Sequence, residues 1–335
     1  MQPLGEFDLI ARFFKRPTPH AVVGVGDDCA VLQPRPGTQW AISTDMLVAG
    51  RHFFPDTDPG QLGHKALAVN LSDLAACGAQ PVAFTLALAL PEAREAWLAP
   101  FAQGLLALAD LHGCELVGGD TTQGPLNICI TVFGEVPVIN GRSQALLRSG
   151  AQAGDDLYVS GTLGDARLAL EVLQGQLSVP PAVLKAARTR LQAPTPRVAL
   201  GLALRGVATA AIDVSDGLLG DLGHVLQQSG VGAVVHTDVV LKRLASWHAL
   251  VPWLSEPDTP LSKARLLGWT LAGGDDYELL FTAAPAQRAQ VAQAALRAQT
   301  PVTRIGQIEA ERGLQLLDEH GQPLPNTFAS FDHFA

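Results

Sequence analysis

The spacing of apolar residues changes several times along the chain, and each change predicts a change of secondary structure. Residues 82–90 and 127–136 are short apolar stretches of strand length, whereas residues 61–78 and 91–112 space Leu, Val and Ala as a helix does. Further strands are predicted at 156–160, 208–213, 232–236, 278–282 and 302–308, and further helices at 165–174, 196–205, 218–229 and 285–298. The mixture predicts an α+β fold with mixed or antiparallel sheets.

Two polar motifs are expected to follow strands rather than to lie within them. An amphipathic helix is predicted at residues 5–14, and strands at residues 21–26 and 40–43. Thr44 and Asp45 then come at the end of the second strand. In the same way, the strand at 115–117 is expected to run into a turn at Gly118-Gly119-Asp120.

One segment interrupts this order and predicts a domain boundary. Residues 137–154 mix Pro, Gly, Asn and Arg, and 335 residues are enough for two separate cores. We therefore predict an N-terminal domain at residues 1–140 and a C-terminal domain at residues 150–335.

Composition excludes several classes of partner. Hydrophobic residues make up 47% of the chain and charged residues 16%, and the net charge is −9, which argues against binding to nucleic acid or to an anionic membrane. The four cysteines form no C-x-x-C pair, the start shows no signal-peptide pattern, and no apolar stretch is long enough to span a bilayer. We expect a soluble, cytoplasmic protein with free thiols.

Seven short acidic clusters carry the candidate chemistry. They are Gly26-Asp27-Asp28, Ser43-Thr44-Asp45, Asn70-Leu71-Ser72-Asp73, Gly118-Gly119-Asp120-Thr121-Thr122, Gly164-Asp165, Asp213-Val214-Ser215-Asp216-Gly217 and Gly273-Gly274-Asp275-Asp276-Tyr277-Glu278. Asn70 and Asp73 are three residues apart on a predicted helix and so share one face. Carboxylates packed this densely repel one another unless cations or hydrogen-bond donors hold them. The clusters predict a site where the acids converge on Mg²⁺, which usually binds together with phosphates.

Each cluster also has a structural interpretation. A Gly-Asp pair is an ordinary turn, and Ser215 or Asp216 is a suitable helix cap. Capping requires one acceptor for each helix, however, and these motifs contain a surplus. The sequence lacks a P-loop, the protein-kinase motifs, an H-E-x-x-H zinc motif and a G-x-S-x-G nucleophile. Metal and alignment are therefore the expected means of catalysis.

The ordered set of motifs resembles the thiamine-monophosphate kinase family over nearly the whole chain. Besides the acidic clusters, the resemblance rests on Gly5-Glu6-Phe7, His52-Phe53, Arg148-Ser149-Gly150-Ala151, Ser160-Gly161, Leu279 and the terminal Phe331-Asp332-His333-Phe334. It implies the two-domain fold shared with aminoimidazole ribonucleotide synthetase. The N-terminal sheet-and-helix domain would bind ATP and Mg²⁺ and form a homodimer, and a C-terminal α/β domain would complete the active site.

The resemblance also implies the reaction and the role of individual residues. The expected reaction is ATP-dependent phosphorylation of thiamine monophosphate to thiamine diphosphate. The residues that match metal-binding positions are Asp28, Thr44, Asp45, Asp73, Asp120, Asp213 and Asp216, of which Asp73 and Asp216 are expected to be the most critical. The residues that match ATP-binding positions are Gly119, Asp120, Arg148 and Ser215, and those that match substrate-binding positions are His52, Asp275 and Phe331.

Some features stay open at this point. The family usually has glutamate where this chain has Asp275, and Phe328 competes with Phe331 for the thiamine ring. Whether Arg51 or Lys65 reaches a phosphate is undecided. Two alternatives also remain: another ATP-using enzyme of the same fold, such as an aminoimidazole ribonucleotide synthetase, or a non-catalytic protein that binds nucleotide or thiamine phosphate.

Overall fold

A computed structural model describes residues 5–252 and 261–328. The chain divides into two compact units, the first formed by residues 1–74 and 79–145 and the second by residues 75–78 and 146–335. Within the described residues, no helix combines the length and the apolar character needed to cross a lipid bilayer.

The first unit is built on one mixed sheet, in which most neighbouring strands are antiparallel. Its helices are α1 (Glu6–Leu9), which continues as a π-helical turn at Ile10–Phe14, α2 (Pro59–Ala76) and α3 (Glu95–His112). Its strands are β1 (Ala21–Val23), β2 (Val31–Leu32), β3 (Thr38–Val48), β4 (Gln80–Leu90), β5 (Glu115–Gln123), β6 (Asn127–Ile139) and β7 (Arg142–Ser143). The strand order is β3-β6-β4-β5, with β4 and β5 parallel and the other neighbours antiparallel.

The core of this unit lies between the sheet and the two long helices. Leu67, Phe84 and Phe101 are all fully buried. A side chain at Gly63 would overlap the backbone of Phe101, so the absence of a Cβ lets α2 and α3 approach each other closely. Burial of large apolar side chains is the main free-energy contribution here, about 1.5–3 kcal/mol for each.

The second unit surrounds a mixed sheet with helices. Its helices are α4 (Asp165–Leu173), α5 (Pro181–Gln192), α6 (Val198–Ala203), α7 (Leu218–Ser229), α8 (Thr237–Leu241), α9 (Trp247–Leu250), α10 (Lys263–Ala272) and α11 (Arg288–Arg297). Its strands are β8 (Asp156–Ser160), β9 (Ala210–Val214), β10 (Gly232–His236), β11 (Glu278–Ala283), β12 (Val302–Glu309), β13 (Gly313–Leu317) and β14 (Pro323–Leu324). The order is β14-β13-β10-β12-β8-β11-β9 among the described residues. The interior strands β8 and β11 and the edge strand β9 are buried along their whole length, and most of their residues are apolar.

The structure confirms the predicted α+β class and corrects two predicted strand ends. Strand β3 continues to Val48, so Thr44 and Asp45 lie inside it, and β5 continues through the expected turn to Gln123. In both cases the partner strand supplies a continuous ladder, and this tertiary pairing overrides the turn preference of Gly and Asp. The sequence predicts neither helices α5, α8, α9 and α10 nor strands β2, β7, β13 and β14.

Candidate active site

A cavity of about 1080 Å³ in the first unit contains three of the predicted site residues. Asp28 comes from the loop between β1 and β2, and Gly119 and Asp120 come from β5. Apolar side chains that include Phe14 and Trp40 form much of the remaining wall. The structure thus brings two predicted metal ligands, Asp28 and Asp120, and two predicted ATP-binding residues, Gly119 and Asp120, to one concave surface.

Gly119, which lines this cavity, has a backbone conformation that requires glycine. Gly119 has φ +147°, and a Cβ there would overlap the backbone of Leu86 on the neighbouring strand. The register of β4 and β5 shifts between Phe84 and Thr85, which indicates a bulge next to Gly118. Only glycine satisfies both conditions at this position. Gly119 is therefore required by the close packing of β5 against β4, inside a strand and not in the expected turn.

A second group of predicted residues lies where α2 packs on β3. The Ser43 Oγ donates a hydrogen bond to Asp73 Oδ2. The Asp45 backbone N–H donates to Asn70 Oδ1 at 3.1 Å, and Asn70 Nδ2 donates to the Ala66 carbonyl at 3.0 Å. The shared helical face of Asn70 and Asp73 is thus confirmed, and both side chains are directed at the same stretch of strand.

Thr44 is separated from this group by the alternation of side chains along β3. Its Oγ1 lies 2.8 Å from Thr131 Oγ1 on β6, whereas Ser43 and Asp45 lie on the opposite face, which α2 covers. Ser43 is therefore the hydroxyl that shares a face with Asp45 and Asp73. The motif Ser43-Thr44-Asp45 was predicted without a role for Ser43. The period of two in a strand nevertheless places Ser43 and Asp45 on the same face. The predicted metal role of Thr44 stays a prediction.

His52 and Lys65 lie close together near the end of β3. The Val48 N–H donates to His52 Nδ1 at 3.0 Å, which leaves Nε2 of a neutral imidazole as the protonated nitrogen. Lys65 is buried, and its Nζ donates to the His52 carbonyl at 3.5 Å. A backbone N–H thus orients the imidazole ring of His52. The predicted contact of His52 with substrate stays a prediction, and whether Arg51 or Lys65 reaches a phosphate stays open.

In the second unit, Asp213, Ser215 and Asp216 follow one another at the end of β9. Asp213 is buried, and the backbone N–H groups of Ser215 and Asp216 each donate to Asp221 Oδ2 at 3.1 Å. Burial, and then the negative charge of Asp216, raise the pKa of Asp221 to about 7. Asp221 therefore shapes the turn that carries the predicted ligands.

The motif that contains Asp275 packs directly on this turn. The Asp275 N–H donates to the Ser215 carbonyl and the Tyr277 N–H donates to the Val214 carbonyl, both at 2.8 Å. Asp275 and Tyr277 have φ of +67° and +51°, which is uncommon for residues other than glycine. The Tyr277 hydroxyl donates to Asp275 Oδ1 at 3.0 Å. The structure thus brings the predicted substrate residue Asp275 next to the Asp213–Asp216 segment.

Three residues remain from the sequence-based predictions: Arg148, Phe328 and Phe331. Arg148 is exposed, and its carbonyl accepts a hydrogen bond from Ser229 Oγ at 3.2 Å. Phe328 is half-buried and packs against the core of the second unit. Phe331 lies outside the described residues, so its predicted contact with the thiamine ring stays a prediction.

Within each unit, the predicted site residues offer the kind of ligand atoms that magnesium prefers. Ser43, Asp45, Asp73, Asp213 and Asp216 supply hydroxyl and carboxylate oxygens, which are the ligands of a hard divalent cation. In residues 5–252 and 261–328, no group of three or more His, Cys, Asp or Glu side chains could hold a metal ion by itself. Mg²⁺ normally takes one or two carboxylates and completes its shell with water and substrate phosphates, so the residues fit a metal that arrives with nucleotide.

Family models match both halves of the chain. The N-terminal domain of the AIR synthase related proteins matches residues 26–136, and their C-terminal domain matches residues 152–319. A solved structure described as AaThiL complexed with AMPPCP and TMP superposes with a TM-score of 0.74 and 28% identity, over 90% of this chain and 89% of that one.

Two thiamine-monophosphate kinases are similar over almost their whole length. The one from Salmonella typhimurium is 44% identical over 336 residues, which covers 99% of this chain and 98% of that protein. The crystal structure of the one from Stenotrophomonas maltophilia has a TM-score of 0.80 and 46% identity, over 91% of this chain and 93% of that one. The two halves of the chain thus match the two domains of the AIR synthase related proteins. The chain belongs to the thiamine-monophosphate kinase family.

Proposed function

We propose that the protein transfers the γ-phosphoryl group of ATP to thiamine monophosphate and releases thiamine diphosphate and ADP. The single observation that carries this proposal is the near-complete match, at 44% identity, to a thiamine-monophosphate kinase. The related complex with AMPPCP, an ATP analogue, and TMP supports binding of both substrates to one protein of this fold.

The transfer needs alignment and charge neutralisation more than it needs a base. The acceptor is a phosphate oxygen that is already anionic, so no side chain has to remove a proton from it. The main obstacle is repulsion between two polyanions that must meet in line. Direct in-line transfer explains why the motifs contain acids and glycines and no evident general base.

Several Mg²⁺ ions are the proposed cofactor. When bound, Mg²⁺ neutralises the charge that ATP and the acceptor phosphate bring together. The residues proposed to hold it are Asp28, Thr44, Asp45, Asp73, Asp120, Asp213 and Asp216. Gly119, Asp120, Arg148 and Ser215 are proposed to bind ATP, and His52, Asp275 and Phe331 to bind thiamine monophosphate. Ser43 orients the Asp73 carboxylate through its hydroxyl, and Asp221 shapes the Ser215–Asp216 backbone.

We also propose a homodimer that forms through the exposed face of the first unit's sheet. Ile42 and Met46 on β3 are 59% and 52% exposed, and large apolar side chains exposed on one strand indicate an interface. Replacing both residues with lysine should lower the mass measured by light scattering from that of a dimer to that of a monomer. A wild-type monomer would refute the proposal. The cytoplasmic location stays a prediction from the sequence.

Product analysis tests the proposed reaction. The protein is incubated with ATP, Mg²⁺ and thiamine monophosphate, and thiamine diphosphate and ADP are quantified by chromatography, with unphosphorylated thiamine as the control acceptor. Equal amounts of thiamine diphosphate and ADP are expected. Binding of both substrates without product would favour the non-catalytic alternative, and failure to bind thiamine monophosphate would favour another ATP-using enzyme of this fold.

A further inference from the structure

A buried ionic cluster lies directly behind the loop that carries Asp275. Glu278, the first residue of β11, is fully buried, and its carboxylate accepts hydrogen bonds from Arg190 and Arg197. The Arg190 Nη2–Glu278 Oε1 distance is 2.8 Å and the Arg197 Nε–Glu278 Oε2 distance is 2.6 Å. Ser160 Oγ donates to the same carboxylate at 2.6 Å and accepts from the Leu279 N–H at 2.8 Å. Nothing in the proposed phosphoryl transfer uses this cluster.

The cluster is connected to the Asp275 loop through backbone and side chain. Arg190 Nη2 also donates to the Asp276 carbonyl at 2.9 Å. The Asp276 side chain turns inward, where its two carboxyl oxygens lie 3.0 and 2.9 Å from the Gly164 N. Asp276 is therefore fixed at both its carbonyl and its carboxyl group, between two residues that have left-handed backbone.

Such a backbone has to be held by its surroundings. A non-glycine residue in the left-handed region is conformationally strained, and two such residues, Asp275 and Tyr277, flank Asp276. Aspartate has a short side chain, so the position of its carboxylate follows mainly from the backbone. Any loosening of residues 275–277 would displace the Asp275 carboxylate.

We propose that Arg190 and Tyr277 are positioning residues for thiamine monophosphate: Arg190 fixes the loop through the Asp276 carbonyl and Glu278, and Tyr277 orients the Asp275 carboxylate through its hydroxyl. The inference rests on the proposed function, because it takes Asp275 as a substrate-binding residue. Arg190 contacts the loop and Tyr277 contacts Asp275 itself, and neither residue is proposed to touch the reacting atoms.

Tyr277→Phe is the more selective test, because it keeps the buried ring and removes only the hydroxyl donor to Asp275. Loss of a hydrogen bond to a charged group should raise KM for thiamine monophosphate about tenfold or more. KM for ATP and the melting temperature should stay close to those of the wild type. An unchanged KM for thiamine monophosphate, or equal increases for both substrates, would overturn the role of Tyr277.

Arg190→Met and Arg190→Lys test the loop support, with Arg188→Met as the matched control on the same helix. Arg188 is exposed and donates to Gln192 at 2.8 Å, so its replacement should leave both KM values unchanged. KM for thiamine monophosphate should rise most in Arg190→Met and less in Arg190→Lys, which keeps the charge. Lysine offers no planar fork to join Glu278 and the Asp276 carbonyl, so rescue should be partial.

Hydrogen exchange separates this inference from the proposed function, because it needs no substrate. The Asp275 and Tyr277 amides are bonded to the Ser215 and Val214 carbonyls, and both should exchange at least tenfold faster in Arg190→Met and Arg190→Lys than in the wild type. Unchanged exchange in a folded variant would overturn the role of Arg190, whether or not the wild type forms thiamine diphosphate. If Arg190→Met does not fold, Arg190→Lys and Tyr277→Phe still decide the two roles.

Discussion

The two units hold their predicted site residues in different ways. In the first unit, Asp73 and Asn70 stand on a regular helix, and their partners are the hydroxyl of Ser43 and the backbone N–H of Asp45. In the second unit, Asp275 stands on left-handed backbone behind which charged groups are buried. A helix and a strand can place an acid by register alone, whereas an irregular loop needs support from outside itself.

The largest effect expected from this difference is on stability. Glu278→Ala leaves Arg190 and Arg197 buried without their shared carboxylate, and breaking a buried ion pair costs about 3–5 kcal/mol. Glu135→Ala in the first unit is the matched control, because Glu135 is also buried but its partner Arg35 has an exposed side chain and stays solvated. Chemical denaturation should show a much smaller loss for Glu135→Ala. Equal losses would mean that the two units do not differ in this respect.

The next effect is on turnover and should be the same in both units. Asp73→Asn and Asp216→Asn each remove one charge from the proposed metal site and should lower kcat by about a hundredfold to a thousandfold. Circular dichroism and melting temperature should stay close to those of the wild type. Asp110→Asn, which removes an exposed acid that pairs with Arg16, is the control and should keep full activity. Near-normal rates of Asp73→Asn or Asp216→Asn at moderate Mg²⁺ would contradict the proposed role.

A smaller effect concerns the hydroxyl that orients Asp73. Ser43→Ala removes one hydrogen bond to a carboxylate and should lower kcat/KM about tenfold, with little change of fold. Ser143→Ala, at an exposed serine in β7, is the matched control and should be silent. If steady-state kinetics show no change for Ser43→Ala, the orientation of Asp73 does not depend on this bond.

The same difference explains how much could be predicted from the sequence. The shared face of Asn70 and Asp73 on α2 could be predicted because a helical period places these two residues on one side without further information. Asp45 and Gly119 were assigned to strand ends because pairing with β6 and β4, which extends both strands, is a non-local contact. Arg190 and Glu278 are 88 residues apart, and no local pattern connects them. The fold class and the shared face of Asn70 and Asp73 could therefore be predicted from the sequence, and the support behind the Asp275 loop could not.

The smallest predicted effect concerns the carboxyl group at the centre of that support. Burial raises the pKa of Asp276 well above its usual value, the charges of Asp165 and Glu278 raise it further, and the Gly164 N–H and Arg190 oppose the shift. Since the pKa is higher in the folded than in the unfolded state, the folded state keeps a proton that the unfolded chain releases. This contribution to stability is complete below the unfolded pKa of about 4 and is lost as pH rises toward the folded pKa.

Asp276→Asn replaces the protonated carboxyl with a neutral group of nearly the same shape and removes this pH dependence. The amide can still accept a hydrogen bond from the Gly164 N–H. The wild type should lose stability as pH rises from 5 to 8 and the variant should not, so the Tm difference in favour of the variant should grow over this range. A stability difference that stays constant from pH 5 to pH 8 would show that the folded protein holds Asp276 ionised throughout this range.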